Sequence, residues 1–221
     1  MTESIKLISW TQNNKDSVED LIAYCARISN PSNQMNTETN HKLLEYLIKH
    51  NHWSPFEMIS ICLEINTTRD IARQILRHRS FSFQEFSQRY AIADLGFELR
   101  EARLQDTRNK QNSIDTDNDE LKKQWNQIQT DIHEQTKQAY DWAIQNGIAK
   151  EQARVVLPEG NTLSRLYMNG TLRSWIHYIQ LRSSNGTQKE HMQVAIECAR
   201  AIEPIFPMIV NFISHPTIIL D

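Results

Sequence analysis

The sequence has few of the glycines on which the common nucleotide-binding loops depend. Its 221 residues include only five, at positions 96, 147, 160, 170 and 186. No two of them have the spacing of the dinucleotide-binding GxGxxG motif, the P-loop or the GxSxG nucleophile elbow. If the chain binds a nucleotide, side-chain cations must hold the phosphates that such a loop would otherwise hold.

Cysteine and long apolar runs are also scarce. Cys25, Cys62 and Cys198 form no CxxC pair, which is typical of reduced thiols in a cytosolic protein. No run approaches the roughly 20 apolar residues of a membrane span, and the first residues lack the features of a signal peptide. We therefore expect a cytoplasmic protein that makes no use of a membrane.

The charge balance argues against a nucleic-acid-binding protein, and the spacing of the histidines argues against a metal site. With 24 Lys plus Arg against 27 Asp plus Glu, the net charge is -3, so no global basic field draws the chain to nucleic acid. His50 and His52 are spaced like a metal pair, but no third ligand follows nearby, and we expect no metal.

Hydrophobic periodicity predicts a mostly helical chain with a minority of strand. Strict alternation of apolar and polar residues over 59–66 predicts one half-buried strand, and the polar stretch 105–120 is interpreted as an exposed loop. There is no repeat and no linker, so residues 1–221 are expected to form a single domain. Six helices are predicted. The first begins at a Ser17–Asp20 capping box, the second ends near His50, and the third begins at Asp70. The fourth runs from Leu121 to Gly147, the fifth begins near Thr171, and the sixth runs from near Thr187 to Pro204.

Arginine is concentrated between residues 69 and 89. This stretch holds five arginines, no lysine and only two acids, which gives it a local charge of +3. The planar guanidinium binds phosphate or carboxylate through two parallel hydrogen bonds and stays charged at physiological pH. A solvated helical face of Arg69, Arg73 and Arg77 is the alternative interpretation. The exclusion of lysine, the adjacent His78 and the scarcity of acids favour anion binding.

The same stretch resembles a family signature. Arg77-His78-Arg79-x-x-Ser82-x-x-x-x-Ser87-x-Arg89 resembles the RHRxxSxxxxSxR signature of the flavin-dependent thymidylate synthases. The segment 52–57 is similar to the family's HxTPFEH segment, with Ser54 for Thr and with Met58 in place of the last histidine. Residues 151–158 and 172–190 match two further blocks, and order and spacing agree from about residue 17 to about residue 203.

The resemblance implies a reductive methylation of dUMP to dTMP. Methylenetetrahydrofolate would donate the carbon, and FAD reduced by NADPH would donate the hydride. It also implies a homotetramer whose active sites draw residues from several chains, with dUMP and folate as its small-molecule partners and no nucleic acid. The fold that we expect is α+β, with a central antiparallel sheet flanked by helices, as in this family.

The resemblance also implies roles for individual residues. Arg182 stands where the family's activating arginine stands, and a fixed cation beside N3 and O2 of a pyrimidine favours its ionised form and makes C5 more nucleophilic. Thr171 stands where the family usually has Asn near the flavin. The residues that would face FAD are Ser54, Arg77, His78, Arg79, Glu85, Thr171, Arg173 and His177. Those that would surround dUMP are Gln74, Arg77, Glu85, Phe86, Ser87, Gln88, Arg89, Arg154 and Arg182.

Two other functions remain open at this point. An RNA- or DNA-binding module could use the arginine-rich helix against phosphates, although no base-reading motif accompanies it. A flavoprotein relative without turnover would keep the same arginines. Phe81, Phe83 and Phe86 in the signature are interpreted as core residues, with stacking on a ligand as the alternative.

Overall fold

The computed structural model describes residues 4–13 and 17–214, and its centre is a four-stranded sheet. The strand order is β1-β2-β6-β3, and every neighbouring pair is antiparallel, as expected. A separate hairpin pairs β4 with β5. The strands are β1 Ile5–Trp10, β2 Ser60–Thr68, β3 Ser82–Glu85, β4 Arg103–Gln105, β5 Ser113–Asp115 and β6 Leu163–Thr171.

Seven α-helices lie in the described part of the chain, and the six predicted ones are confirmed. The Ser17 hydroxyl accepts from the Asp20 amide and the Asp20 carboxylate accepts in return, which completes the predicted capping box. Gly147, at φ 76°, follows the end of the long helix. The helices are α1 Val18–Ala26, α2 Asn40–Lys49, α3 Arg69–Ile75, α4 Asp119–Gln145, α5 Lys150–Ala153, α6 Leu172–Arg182 and α7 Lys189–Ile202. None of them has an apolar stretch long enough to cross a bilayer.

The core lies on one face of the sheet. The odd-numbered β2 residues Ile61, Leu63 and Ile65 are completely buried there, as their alternation predicts. Helices α6 and α7 cover this face, and Trp175 of α6 donates from its indole Nε1 to the Ile61 carbonyl at 3.0 Å. The first part of α6 is thereby attached to β2.

Helices α3 and α6 each follow a nine-residue strand without a loop. The Arg69 amide donates to the Thr162 carbonyl at 3.0 Å, and the Leu172 amide donates to the Ile59 carbonyl at 2.8 Å. Because β2 and β6 are antiparallel neighbours, the two helices begin at opposite ends of the same strand pair. The functional residues near their ends are therefore positioned by the most buried part of the sheet.

The expectation of a plain loop over 105–120 is wrong. The segment contributes to a short exposed hairpin, with Gln105 facing Ser113, before α4 begins at Asp119. The Gln105 side-chain amide donates to backbone carbonyls of the turn, those of Asp106, Lys110 and Asn112. Side-chain hydrogen bonds of this kind, rather than apolar alternation, hold the hairpin, so the hydrophobic pattern does not reveal it.

Helix α4 turns its apolar stripe outward. The stripe consists of Leu121, Trp125, Ile128, Ile132 and Trp142, which are 37 to 60 % exposed. The buried residues of α4 are Gln129, Tyr140 and Ala143. The Gln129 amide exchanges two hydrogen bonds with the Arg100 backbone, and Tyr140 and Ala143 form a small apolar cluster with Ala153. The tryptophans of α4 therefore do not belong to the core of this chain.

Candidate active site

The family signature forms a turn between α3 and β3, residues 76–81, which we call the signature turn. His78 donates its amide to the Ile75 carbonyl, and Phe81 donates to the His78 carbonyl. Phe81 is buried, as expected, with its ring 4.9 Å from the Trp175 ring, and Phe83 packs against the core. A Cβ at Gly170 would lie 2.4 Å from the Phe81 ring, so the turn depends on a glycine there.

Arg77 and Arg79 are the exposed cations of the signature turn. Their guanidinium groups make no hydrogen bond or ion pair with any residue that the structure describes. Two unpaired guanidiniums two residues apart offer the kind of donors that bind an anion such as a diphosphate.

His78, between these two arginines, points inward and holds Arg182. Nε of Arg182, the last residue of α6, donates to Nε2 of His78 at 2.9 Å. Because that nitrogen accepts, the imidazole must be neutral. Burial, reinforced by the Arg182 charge, lowers the pKa of His78 from 6.5 to about 4. The two terminal nitrogens of Arg182 have no partner in the described chain and remain available for a ligand.

Acids are scarce near the arginines in the sequence but not in space, because the fold places Glu159 beside Arg69 and Arg73. Arg73 donates to Glu85 at 3.1 Å and to Glu159 at 3.1 Å, and Arg69 lies 3.3 Å from Glu159 and 3.7 Å from Glu85. Ser164 also donates to Glu85, at 2.9 Å. The interpretation of Arg69 and Arg73 as a solvated face is wrong for Arg69, whose side chain is 8 % exposed.

The cluster holds the carboxylate of Glu85. The family resemblance assigns this carboxylate to both FAD and dUMP, yet both of its oxygens contact residues of the chain itself. The contact joins β3 to α3 and β6, on either side of the signature turn. Glu85 therefore fixes the position of the turn in this structure.

A second group of candidate residues surrounds the start of α6. Arg173 donates to Glu57 at 2.7 Å, and the Thr171 and Arg173 hydrogen bonds lower the pKa of Glu57. The rings of His177 and Trp53 meet edge to face at 5.1 Å, and burial, reinforced by Arg173, lowers the pKa of His177.

An open cleft of about 570 Å³ lies beside this group and is lined by Trp53, Ser54, Glu57 and Arg173, among others. The Ser174 hydroxyl, which Thr171 also contacts, donates to the Ser80 carbonyl at 3.4 Å. This bond links the start of α6 to the signature turn. The candidate flavin residues 54, 171, 173 and 177 thus share one region with Ser80.

A third group lies after β3. A cleft of about 670 Å³ is lined by Ser87, Arg89, Lys150 and Glu151, among others, and Arg89 pairs with Glu151 at 3.2 Å. Gln88 is buried and Phe86 is partly buried, with its backbone amide bonded to the Arg165 carbonyl at 2.8 Å.

Arg154, in a 3₁₀ turn after α5, is partly exposed and has no partner among the described residues. Arg154 follows Glu151, the partner of Arg89, by three positions in the chain.

Several residues that contact the candidate site are not among those predicted from the sequence, among them Glu57, Glu159, Tyr178 and His191. Glu159 lies about 90 positions from its partners, and nothing local signals the pairing. His191 could have been found, because it lies four and seven residues before Ala195 and Cys198 on the apolar stripe of α7. A titratable residue on a buried stripe needs hydrogen-bond partners.

Comparison with known proteins agrees with the family signature. The family model described as thymidylate synthase complementing protein matches residues 6–208. A probable flavin-dependent thymidylate synthase of Paramecium bursaria Chlorella virus 1 is 48 % identical over 209 residues, covering 93 % of this chain and 96 % of the relative. The flavin-dependent thymidylate synthase of Synechocystis sp. is 51 % identical over 193 residues, 87 % of this chain and 88 % of the relative.

A solved structure shows the same fold. The UMP/dUMP methylase PolB from Streptomyces cacaoi, bound with 5-Br dUMP, superposes with a TM-score of 0.80 at 25 % identity, covering 94 % of this chain and 93 % of that one. Signature, fold and relatives agree over most of the chain. This chain belongs to the flavin-dependent thymidylate synthase family.

Proposed function

We propose that this chain catalyses the reductive methylation of dUMP to dTMP, with methylenetetrahydrofolate as carbon donor. The observation that carries the proposal is the arrangement of the signature turn, where a neutral His78, flanked in sequence by two unpaired arginines, accepts from Arg182. The name of the PolB methylase and its bound 5-Br dUMP support a uridine nucleotide as the substrate.

The donor set of the signature turn fits FAD. A chain without a glycine-rich loop needs cations for the diphosphate, and Arg77 and Arg79 are unpaired whereas the nearby Arg73 and Arg89 are paired. We propose that Ser54, Thr171, Arg173 and His177 complete the flavin site and that Glu85 supports it by holding β3. When bound and reduced by NADPH, FAD supplies the hydride that converts the transferred one-carbon unit into a methyl group.

Arg182 is the residue that we assign to activation of the pyrimidine. Its Nε is used by His78, so the guanidinium plane is fixed and its terminal N–H groups point away from the contact. A cation held in this way beside N3 and O2 of dUMP stabilises the negative charge that enriches C5. The neutral state of His78 matters here, since a protonated imidazole would repel Arg182 and could not accept from it.

We assign the remaining residues to dUMP as well, on the family resemblance: Gln74, Phe86, Ser87, Gln88, Arg89 and Arg154. We further propose a homotetramer whose active sites are shared between subunits, as the resemblance implies. The exposed α4 stripe offers a surface for such assembly. We further propose that the chain is one domain and works in the cytoplasm, consistent with its three free thiols.

Two arginine variants test the proposal. Arg182→Ala should abolish dTMP formation while the protein stays yellow with bound flavin, because its guanidinium serves the pyrimidine. Arg79→Ala should instead lose FAD, visible as a colourless preparation. Arg200→Ala, at an exposed position near the end of α7, is the matched control and should change neither. Retained turnover in Arg182→Ala would remove Arg182 from the chemistry, and a wild-type protein that takes up no FAD would refute the proposed function.

A further inference from the structure

A chain of side-chain hydrogen bonds runs behind the signature turn from α6 to the start of α7. The hydroxyl of Tyr178 lies 3.1 Å from Nε2 of His191, and Nδ1 of His191 lies 3.1 Å from Oε1 of Gln74. Nε2 of Gln74 is 2.8 Å from Oε1 of Gln188, and Nε2 of Gln188 is 2.9 Å from Oε2 of Glu190. Tyr178 and His191 are fully or almost fully buried.

The direction of every bond follows from the Glu190 end. The Glu190 carboxylate contacts Arg103 and lies 3.9 Å from Arg100, and a carboxylate in such a pair can only accept. Gln188 must therefore donate to it and present its own carbonyl oxygen to Gln74. This requires Gln74 to turn its amino group toward Gln188 and its oxygen toward α7.

The orientation of the Gln74 amide determines which ring nitrogen of His191 carries the proton. Because the Gln74 oxygen accepts, Nδ1 of His191 carries the proton, and Nε2 accepts from the Tyr178 hydroxyl. The imidazole is neutral, as this requires, since burial, with the charge of Arg182 adding to it, lowers the pKa of His191 to about 3. Both ring nitrogens are satisfied, so a buried histidine is stable at this place.

The chain leaves one hydrogen of the Gln74 amide unused. Its oxygen is held by His191 and one N–H by Gln188, and the second N–H has no partner in the described structure. Gln74 is partly exposed at the end of α3, and its backbone carbonyl accepts from the Arg77 amide. We propose that His191 is a positioning residue that, together with Gln188, fixes the Gln74 amide so that it offers an N–H, and never an oxygen, to an acceptor oxygen of dUMP.

This inference rests on the proposed function, and two substitutions of His191 test it. His191→Leu fills the buried position with an apolar side chain of similar size and removes the donor to the Gln74 oxygen. Gln188 alone then holds the amide, so the Kd for dUMP, measured by calorimetry, should rise about three- to tenfold. His191→Asn should restore most of the affinity, because its amide N–H lies near the position of Nδ1. In turnover, the change should appear in the KM for dUMP with kcat and flavin affinity little altered.

A double-mutant cycle separates positioning from a merely structural role. If His191 acts only through Gln74, His191→Leu should have less than about a twofold effect on dUMP binding in the Gln74→Ala background. His41→Leu, on the exposed surface of α2, is the matched control. An equal loss in both backgrounds, or a loss of flavin affinity in His191→Leu without a change in the Kd for dUMP, would overturn the inference.

The outcomes also separate this inference from the proposed function. A wild-type protein that forms dTMP, together with a His191→Leu variant of unchanged dUMP affinity, rejects the positioning role alone. A wild-type protein that binds neither FAD nor dUMP rejects both.

Discussion

Replacing Gly170 by alanine tests how the signature turn is held against the sheet. The new Cβ would lie 2.4 Å and 2.7 Å from two carbons of the Phe81 ring, more than 0.5 Å inside ordinary van der Waals contact. The ring has no room to retreat, because Trp175 and Tyr178 meet it edge to face at 4.9 Å and 5.9 Å. The turn that carries Arg77 and Arg79 must therefore move.

The expected cost is that of overpacking a core. Such substitutions destabilise by about 1 to 3 kcal/mol, and for a chain of this length 1 kcal/mol corresponds to roughly 2 to 4 °C in melting temperature. We expect Gly170→Ala near the upper end, with a melting temperature lower by about 5 to 10 °C and weaker FAD binding.

The assay is a thermal melt combined with a flavin titration. Gly160→Ala is the matched control, because a Cβ there meets nothing within 4 Å. Phe81→Leu in the Gly170→Ala background should recover part of the flavin affinity, since the smaller side chain relieves the overlap. If Gly170→Ala melts and binds FAD as Gly160→Ala does, the packing argument for the signature turn is refuted.

Two further predictions concern pH and assembly. The pKa of His78, about 4, lies below its ordinary value of 6.5, so the unfolded chain takes up protons that the folded chain does not. The stability that depends on a neutral His78 is fully present above about pH 6.5 and is lost as the pH drops toward 4. The melting temperature of the wild-type protein should fall over this range, and it should fall less in His78→Gln. An equally steep fall in the variant would exclude His78 as the cause. Ile132→Glu places a charge in the exposed α4 stripe and should reduce the mass measured by light scattering, while an unchanged mass would exclude the stripe from assembly.

The sequence predicts local structure where the pattern is regular. Strand β2 alternates Ile, Leu and Ile with polar residues and was predicted within two residues of its ends. Strand β6 presents Ser164, Leu166, Met168 and Gly170 to the core, and the serine and glycine hide the alternation. Periodicity predicts the apolar stripe of α4, but it cannot tell whether that stripe is buried within the chain or exposed on its surface.

In the candidate site, too, residues that are adjacent in sequence could be predicted and contacts between distant residues could not. Arg77, His78 and Arg79 are adjacent in sequence and were recognised as a unit. The Arg182 contact joins residues 104 positions apart, and the Arg73 pairing with Glu159 spans 86 positions. Such contacts are determined by the antiparallel pairing of β2 with β6, which no local pattern of charge reveals.

The central claim is that this chain makes dTMP from dUMP with a flavin. The most direct measurement is dTMP formation by the purified FAD-loaded protein, supplied with dUMP, methylenetetrahydrofolate and NADPH, and followed by chromatography of the nucleotides. The account predicts dTMP in amounts that depend on both FAD and methylenetetrahydrofolate, and none from Arg182→Ala. A protein that binds FAD and dUMP and oxidises NADPH, yet forms no dTMP, would contradict it.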